Sequence, residues 1–241
     1  MLKLLASQIL IAFCVVLGVT AQASPSAFQA QLDRAGIAYQ VPEVGKAILV
    51  NIPAFELIAF QDGMPVLRSR VIVGAPWHRT PRLDTHVSAV RFRPTWRPTP
   101  SMIASGEYSD HVRPPGERNP LGLAAVRLGA GLLVYLHDTN QRALFAKENR
   151  ALSHGCVRVE QWDKLVSFVL DMDIGQVHKL ANGRRTFDAP APPIPVTLAY
   201  FTRFPDQDRE VVAHPDIYGL NAAVSPSEDT IRLAEVTCSG R

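Results

Sequence analysis

Residues 47 to 74, AILVNIPAFELIAFQDGMPVLRSRVIVG, constrain the fold more than any other stretch of the chain. Apolar and polar residues alternate on either side of Asp62-Gly63, a dipeptide that favours the tight turn joining two antiparallel strands. A hairpin or meander is therefore expected here. HVSAVRFRPTW repeats the two-residue period, with Ser88, Val90 and Phe92 on one face and Val87, Ala89 and Arg91 on the other, until Pro94, Pro98 and Pro100 end it. GLLVYLHD reads as a short buried strand delivering His137 at its C-terminal end, and VTLAYFTRF as a further strand. Trp162, Leu165, Val166, Val169 and Leu170 recur instead at helical spacing, which makes EQWDKLVSFVLDM an amphipathic helix packed on the sheet. Residues 106 to 131 lack clear periodicity and read as a long loop, and DAPAPPIP (188 to 195) as an extended, proline-rich link. Strands dominate, so the expected fold is mainly β with some α, a sandwich or barrel carrying one main packed helix.

At the N-terminus Lys3 precedes the mostly apolar run Leu4 to Val19 and the small residues Ala21 and Ala23, the pattern of a secretory signal peptide cleaved after Ala23. Cleavage leaves 218 residues (241 − 23) and lowers the formal charge from +3 to +2, because Lys3 is the one charged residue removed. That balance excludes a strongly basic nucleic-acid binder. No later stretch is long and apolar enough to span a membrane, so a protein without stable membrane insertion is expected after cleavage. The expected layout is a signal peptide over 1–23, a lead-in over 24–44 with a helical turn or two around Phe28 to Arg34, a main domain over 45–187, and a link and C-terminal extension over 188–241 packing on it. The last fifteen or so residues are polar enough to fray.

Chemistry concentrates in SHGCVR, residues 153 to 158. A thiol near its ordinary pKa of about 8.5 is only partly ionised at neutral pH, so a nucleophilic cysteine needs a base or cation within reach. His137 and His154 are the candidate bases for Cys156. Gly155 permits a sharp bend that aims the N–H groups of Gly155 and Cys156 at a developing oxyanion, and Arg158 offers a planar fork for a carboxylate. The cluster reads as acyl transfer on a substrate bearing carboxylates. Competing readings stand beside it: Cys156 paired with Cys238 in a disulfide, Arg158 paired with Glu160 or Asp163, His154 holding the loop rather than reacting, and Tyr135 packing in the core. Trp77 and Trp96 flank prolines in loops and are expected to pack. No histidines show zinc-ligand spacing, and a zinc ion on Cys156, His154 and His137 would occupy the sulfur that the motif is built to expose.

His137, fifteen intervening residues and Ser153-His154-Gly155-Cys156-Val157-Arg158 resemble the signature of the L,D-transpeptidases with a YkuD-type catalytic domain. The similarity extends through VNIPAFEL, SRVIVGAPWHRTP, RPTWRPTPSMI, PPGERNPLG, YLHDT and YFTRFPDQD, across nearly all of residues 45 to 220, and looks like the larger Gram-negative branch of the family. The resemblance implies a β-rich YkuD-like domain in the periplasm acting on peptidoglycan stem peptides. It makes Cys156 the nucleophile, His137 the proton donor and acceptor, and the Asp138 carbonyl the group that orients the imidazole. Ser153, His154 and Arg158 would shape the pocket and bind substrate, and Gly155 would support the oxyanion. No metal and no cofactor is implied, and acylation by carbapenems is. Two departures from the pattern are expected: a chain this short is read as lacking the large N-terminal scaffold and wall-binding module of longer members, and GLAAVRLGAG replaces a more aromatic, amide-bearing segment before the catalytic strand.

The expected function is 3-3 crosslinking through a thioester formed with the donor stem, with an imidazole at 137 beside a sulfur at 156 in an open groove. Rival functions are hydrolysis of the same intermediate, as an L,D-carboxypeptidase or endopeptidase, and a wall-binding or lipoprotein-linking accessory domain that does not turn over.

Overall fold

The computed structural model describes residues 27–129, 131–206 and 210–221. The signal peptide expected over 1–23, its cleavage point, the fraying tail and Cys238 lie outside the described residues. Helix α1 (Ala27–Arg34) occupies the lead-in, and β1 (Lys46–Asn51), β2 (Glu56–Gln61) and β3 (Met64–Gly74) follow as an antiparallel meander. The β2–β3 turn has the expected chemistry: Asp62 and Gly63 sit at φ 49° and 77°, the pair of positive angles that suits the twist of a two-residue hairpin.

Strand β4 (Leu83–Phe92) departs from plain alternation. A register shift between Val87 and Ala89 leaves Ser88 exposed and turns Val87 into the same core cluster as Val90 and Phe92, not to the opposite side. One extra residue in a strand reverses the facing of everything before it, and the two-residue period cannot locate it. After α2 (Pro100–Ala104) comes β5 (Ala124–Leu128), inside the stretch expected as loop. Ala124, Val126 and Leu128 face the core there, but two alanines and nearby glycines weaken the strand signature, so pairing with β4 decides it.

The remaining elements are β6 (Tyr135–His137), a 3-10 turn at Arg142–Ala146, β7 (Ala151–Ser153), β8 (Val157–Val159), α3 (Trp162–Leu170), α4 (Ile174–Ala181), β9 (Phe187–Pro190), β10 (Pro195–Ala199), β11 (Arg203–Pro205) and β12 (Val211–Ala213). The single strand expected over VTLAYFTRF is thus two, β10 in the main sheet and β11 in a separate ribbon with β12. The strands β1, β2, β3, β8, β6, β5, β4 and β10 follow one another, and β10 returns to pair with β1, so the sheet closes into a mixed barrel. The boundary expected at 187/188 falls inside β9, and β10 is a wall strand of the barrel itself.

Inward side chains such as Ile48, Val50, Leu57, Val71, Val126, Leu136, Val157 and Val196 form one buried cluster. Trp162, Leu165, Val166 and Val169 of α3 join it, at the spacing read from sequence. Each such side chain contributes about 1.5–3 kcal/mol on full burial. The helix stops at Asp171, in the left-handed region at φ 50°, and Asp173 starts α4 by accepting the N–H groups of Gly175 and Gln176. The helix expected over 160–172 is thus α3, and α4 is a further helix beyond that stretch. On the outside of β1 and β2, Ala47, Leu49, Ile58 and Phe60 are covered by Phe28 and Leu32 of α1 and by Phe204 of β11.

Candidate active site

Sheet register assembles the predicted residues. Strand β6 pairs with β8 in parallel, His137 beside Arg158 and Leu136 beside Val157, and with β5 antiparallel, Ala125 beside His137 and Arg127 beside Tyr135. Leu136, Val126 and Val157 point into the barrel. Alternation therefore sends Ala125, His137 and Arg158 together to the outer face. Cys156 immediately precedes β8, and its sulfur accepts the N–H of Tyr135 at 3.2 Å and lies 3.6 Å from the Leu133 carbonyl. Tyr135, Ala125 and Cys156 form a small buried cluster. The sulfur and the imidazole are thus neighbours one residue pair apart on the same sheet face, roughly 7 Å along the strand direction.

The turn before the cysteine is tightly determined. Gly155 has φ 107°, a conformation that residues with a Cβ rarely adopt. Ser153 Oγ donates to the Cys156 carbonyl at 2.5 Å and accepts the N–H of Gly155 at 3.1 Å. The Gly155 amide, expected as an oxyanion donor, is therefore spent within the turn. Thr80 Oγ1 donates to the Gly155 carbonyl at 2.9 Å, and Ala75 N donates to the Ser153 carbonyl at 2.8 Å.

His137 is buried, and its Nδ1 makes a short contact with the Asp138 carbonyl. That contact places the ring proton on Nδ1 and leaves Nε2 with a lone pair. Burial pushes the imidazole pKa down to about 3; the Arg158 guanidinium adds to this, and the carbonyls of Asp138 and Leu121 oppose it. The ring is neutral at pH 7, the form a base requires. The Asp138 carboxylate accepts the N–H of Leu123 at 2.9 Å and Nη1 of Arg142 at 2.9 Å, while burial raises its pKa against those bonds. A Cβ at Gly122 would stand 2.3 Å from Asp138 Oδ2, so only glycine lets this segment close on the end of β6.

Arg158 is partly buried, and burial lowers its pKa. Its hydrogen bond runs to a neutral amide, Gln141 Oε1 at 2.6 Å. The two carboxylates weighed as its partners are engaged elsewhere: Glu160 with Arg70 at 2.6 Å and Asp163 with His178 at 3.0 Å. His154 turns to the surrounding loops, bonding Glu107 at 2.8 Å through Nε2 and lying tilted against His78 with ring centroids 4.7 Å apart. Trp96 is buried against Tyr108, but Trp77 is 79 % exposed and does not pack as expected.

The open groove expected around the sulfur is not what the structure holds. Cys156 is 1 % exposed, and its sulfur is engaged in a disulfide whose partner lies outside the described residues. The backbone of Leu133 to Tyr135 covers it from the side. Among the described residues, no group of three or more His, Cys, Asp and Glu side chains gathers to hold a metal ion. Sequence reasoning missed Thr80, Gln141, Arg142 and Tyr218. Nothing in the sequence sets these polar residues apart, and around Thr80 the flanking Gly74 and Pro81 signal only a loop.

The family model of the YkuD L,D-transpeptidase catalytic domain matches residues 45–191. A Haemophilus influenzae protein that carries the L,D-transpeptidase name is 31 % identical over 78 % of this chain and 47 % of its own length. YbiS of Escherichia coli, which also carries the L,D-transpeptidase name, is 32 % identical over 55 % of this chain and 46 % of its own length. Among solved structures, an L,D-transpeptidase from Mycobacterium smegmatis superposes with a TM-score of 0.43 at 17 % identity, covering 64 % of this chain and 58 % of that one. The chain spans about half the length of the curated relatives it matches. With the family model covering well over half of its residues, the chain belongs to the family of YkuD L,D-transpeptidase catalytic domains.

Proposed function

We propose that the protein is an exported cysteine L,D-transpeptidase that joins peptidoglycan stem peptides through 3-3 crosslinks. The observation that supports this best is the outer-face row of His137 and Arg158, with Cys156 one residue pair away and a guanidinium whose hydrogen bond goes to a neutral amide. A partly buried cation that hydrogen-bonds a neutral amide, with the Glu107 carboxylate acting on it only through space, is suited to a carboxylate brought by substrate.

In the proposed reaction a thiol reductant first opens the Cys156 disulfide, supplying two electrons and two protons. His137 Nε2 takes the thiol proton as the sulfur attacks the carbonyl of the third residue of a donor tetrapeptide. The tetrahedral oxyanion collapses, and the C–N bond to the terminal D-alanine breaks. The leaving amine takes the proton from His137, and a thioester remains. An amine of a second stem then attacks the thioester and gives its proton to His137, and the departing sulfur recovers it. Arg158 holds a donor carboxylate throughout. The imidazole is suited to this cycle because it starts neutral, with its proton fixed on Nδ1 by Asp138.

The test is intact-protein mass spectrometry with a carbapenem after thiol reduction. A covalent adduct on the wild-type protein that is absent from Cys156→Ser supports the nucleophile, and no adduct after complete reduction overturns it in favour of an accessory domain. The reduced protein is then incubated with sacculus fragments. Crosslinked dimers support transpeptidation, whereas trimmed monomers alone convert the activity to an L,D-carboxypeptidase or endopeptidase. Export with cleavage after Ala23 is checked by the N-terminal sequence of the protein recovered from the periplasm.

A further inference from the structure

Behind the catalytic turn, the fold joins residues from three distant parts of the chain into one hydrogen-bonded unit. Tyr218 Oη donates to the Gly74 carbonyl at 2.7 Å and accepts the N–H of Thr80 at 3.1 Å. Thr80 Oγ1 accepts the N–H of Gly74 at 2.8 Å and donates its only proton to the Gly155 carbonyl at 2.9 Å. A Cβ on Gly74 would lie 2.0 Å from the His78 carbonyl oxygen and 2.6 Å from Thr80 N, so the 75–80 loop folds directly onto that glycine. Tyr218 is itself clamped: its ring stacks on Tyr200 at 5.5 Å, the Arg79 guanidinium lies 5.5 Å over its centroid, and its N–H donates to Tyr200 Oη at 2.8 Å. Thr80 is 2 % and Tyr218 5 % exposed. Tyr218 also lies beyond residues 45–191, the part of the chain that the family model matches.

A peptide plane bordered by glycine turns over at little steric cost, and Gly155 at φ 107° borders the one that carries the Cys156 N–H. In a trans peptide the carbonyl and the N–H point in opposite directions. Anchoring the Gly155 carbonyl on Thr80 therefore fixes the Cys156 N–H on the side away from Thr80. We infer that Thr80, held by Tyr218, is a positioning residue for the acyl transfer proposed above: it locks the Gly155–Cys156 peptide plane so that the Cys156 N–H is preset to bond the oxyanion of the tetrahedral intermediate. The inference rests on that proposed reaction. Preset donors act in the transition state and not on bound substrate, so their loss appears in kcat and leaves KM in place. The hydroxyl of Thr80 is the effective group, and Tyr218 acts through it.

The test uses the full chain after thiol reduction, with a donor tetrapeptide, and compares Thr80→Val, Thr80→Ser, Tyr218→Phe and the Thr80→Val/Tyr218→Phe pair. Rates are normalised to the folded fraction from thermal melts. Thr80→Val is expected to lower kcat by about 10²-fold, the scale of losing one oxyanion donor, with KM within about twofold. Thr80→Ser keeps the hydroxyl and is expected to stay within about threefold of wild type on the same scale, with Tyr218→Phe about tenfold down. The double variant should be no slower than Thr80→Val, because the two act in series. Thr80→Val with wild-type kcat overturns the inference, as does equal impairment of Thr80→Val and Thr80→Ser that merely follows the loss of folded protein. If the reduced wild-type protein is not acylated at all, the proposed function fails first; if it is and Thr80→Val keeps pace, this inference fails alone.

Discussion

Two outer faces of the same barrel treat burial in opposite ways. On β1 and β2 the outward residues Ala47, Leu49, Ile58 and Phe60 are apolar and are sealed by Phe28, Leu32 and Phe204. On β5, β6 and β8 the outward residues are Ala125, His137, Cys156 and Arg158, and the sulfur and imidazole meet polar backbone: the Leu133 carbonyl, the Tyr135 N–H and the Asp138 carbonyl. Burial stabilises the first face outright. On the second it disfavours the charged form of the imidazole and lowers the pKa of the guanidinium, so the fold keeps titratable groups in a state that water would relax. The first face adds to stability, and the second holds the candidate site at a cost to it.

That contrast breaks most sharply if each face is injured in turn. His137→Ala should slow acylation by about two to four orders of magnitude and flatten the pH limb reporting the Cys–His pair jointly, as read from single-turnover adduct formation. A change below threefold would hand the base role to His154. Phe60→Ala, on the sealed face, should cost about 3–5 kcal/mol in urea unfolding while the folded fraction acylates at the wild-type rate. Equal loss of rate would mean the faces are mechanically one.

The pH dependence of stability sharpens the same comparison. Unfolded, His137 takes a proton near 6.5, whereas folded it resists until about 3. The unfolded state therefore binds more protons across that window, and stability falls as pH drops from 6.5 towards 3, by on the order of a few kcal/mol. Asp138, whose pKa is raised, acts oppositely just above 3.8, since there the folded state holds the extra proton. The neighbouring Arg158 guanidinium stays charged throughout. Urea midpoints at pH 7 and pH 4.5 should show the loss, and His137→Gln should reduce it. The smallest effect is expected at the rim, where Asp188 bridges Arg91 at 2.7 Å and Arg127 at 3.1 Å. As these groups are partly in water, Asp188→Asn should shift stability by under about 1 kcal/mol in the same assay.

The legible parts of the fold were those carried by local pattern. The Asp62-Gly63 hairpin, the α3 stripe of Trp162, Leu165, Val166 and Val169, and the helical start around Phe28 all rest on turn chemistry or periodicity within a few residues. The illegible parts depend on partners. Strand β5 is held by β4 and β6 and not by its alanines, the bulge at Ser88 needs the facing strand to define it, and β10 closes the barrel only because β1 and β4 leave an edge on each side. At the candidate site, SHGCVR and His137 stood out in sequence because rare reactive residues sit at a telling spacing, while Thr80 and Tyr218 are common polar residues whose importance lies in what they touch.

By itself the sequence determined the chemistry available: a thiol, two candidate bases, a bend-permitting glycine and a cation, on a chain patterned mainly for strands. Only the tertiary structure decided their states. Parallel pairing of β6 with β8 set which histidine shares a face with the sulfur, and loops carried His154 towards Glu107. Burial fixed His137 as neutral, and the sulfur lies enclosed in a disulfide and not in an open groove. The physical reason is that side-chain identity is local, whereas burial, register and the partner of each polar group are properties of segments that meet only on folding.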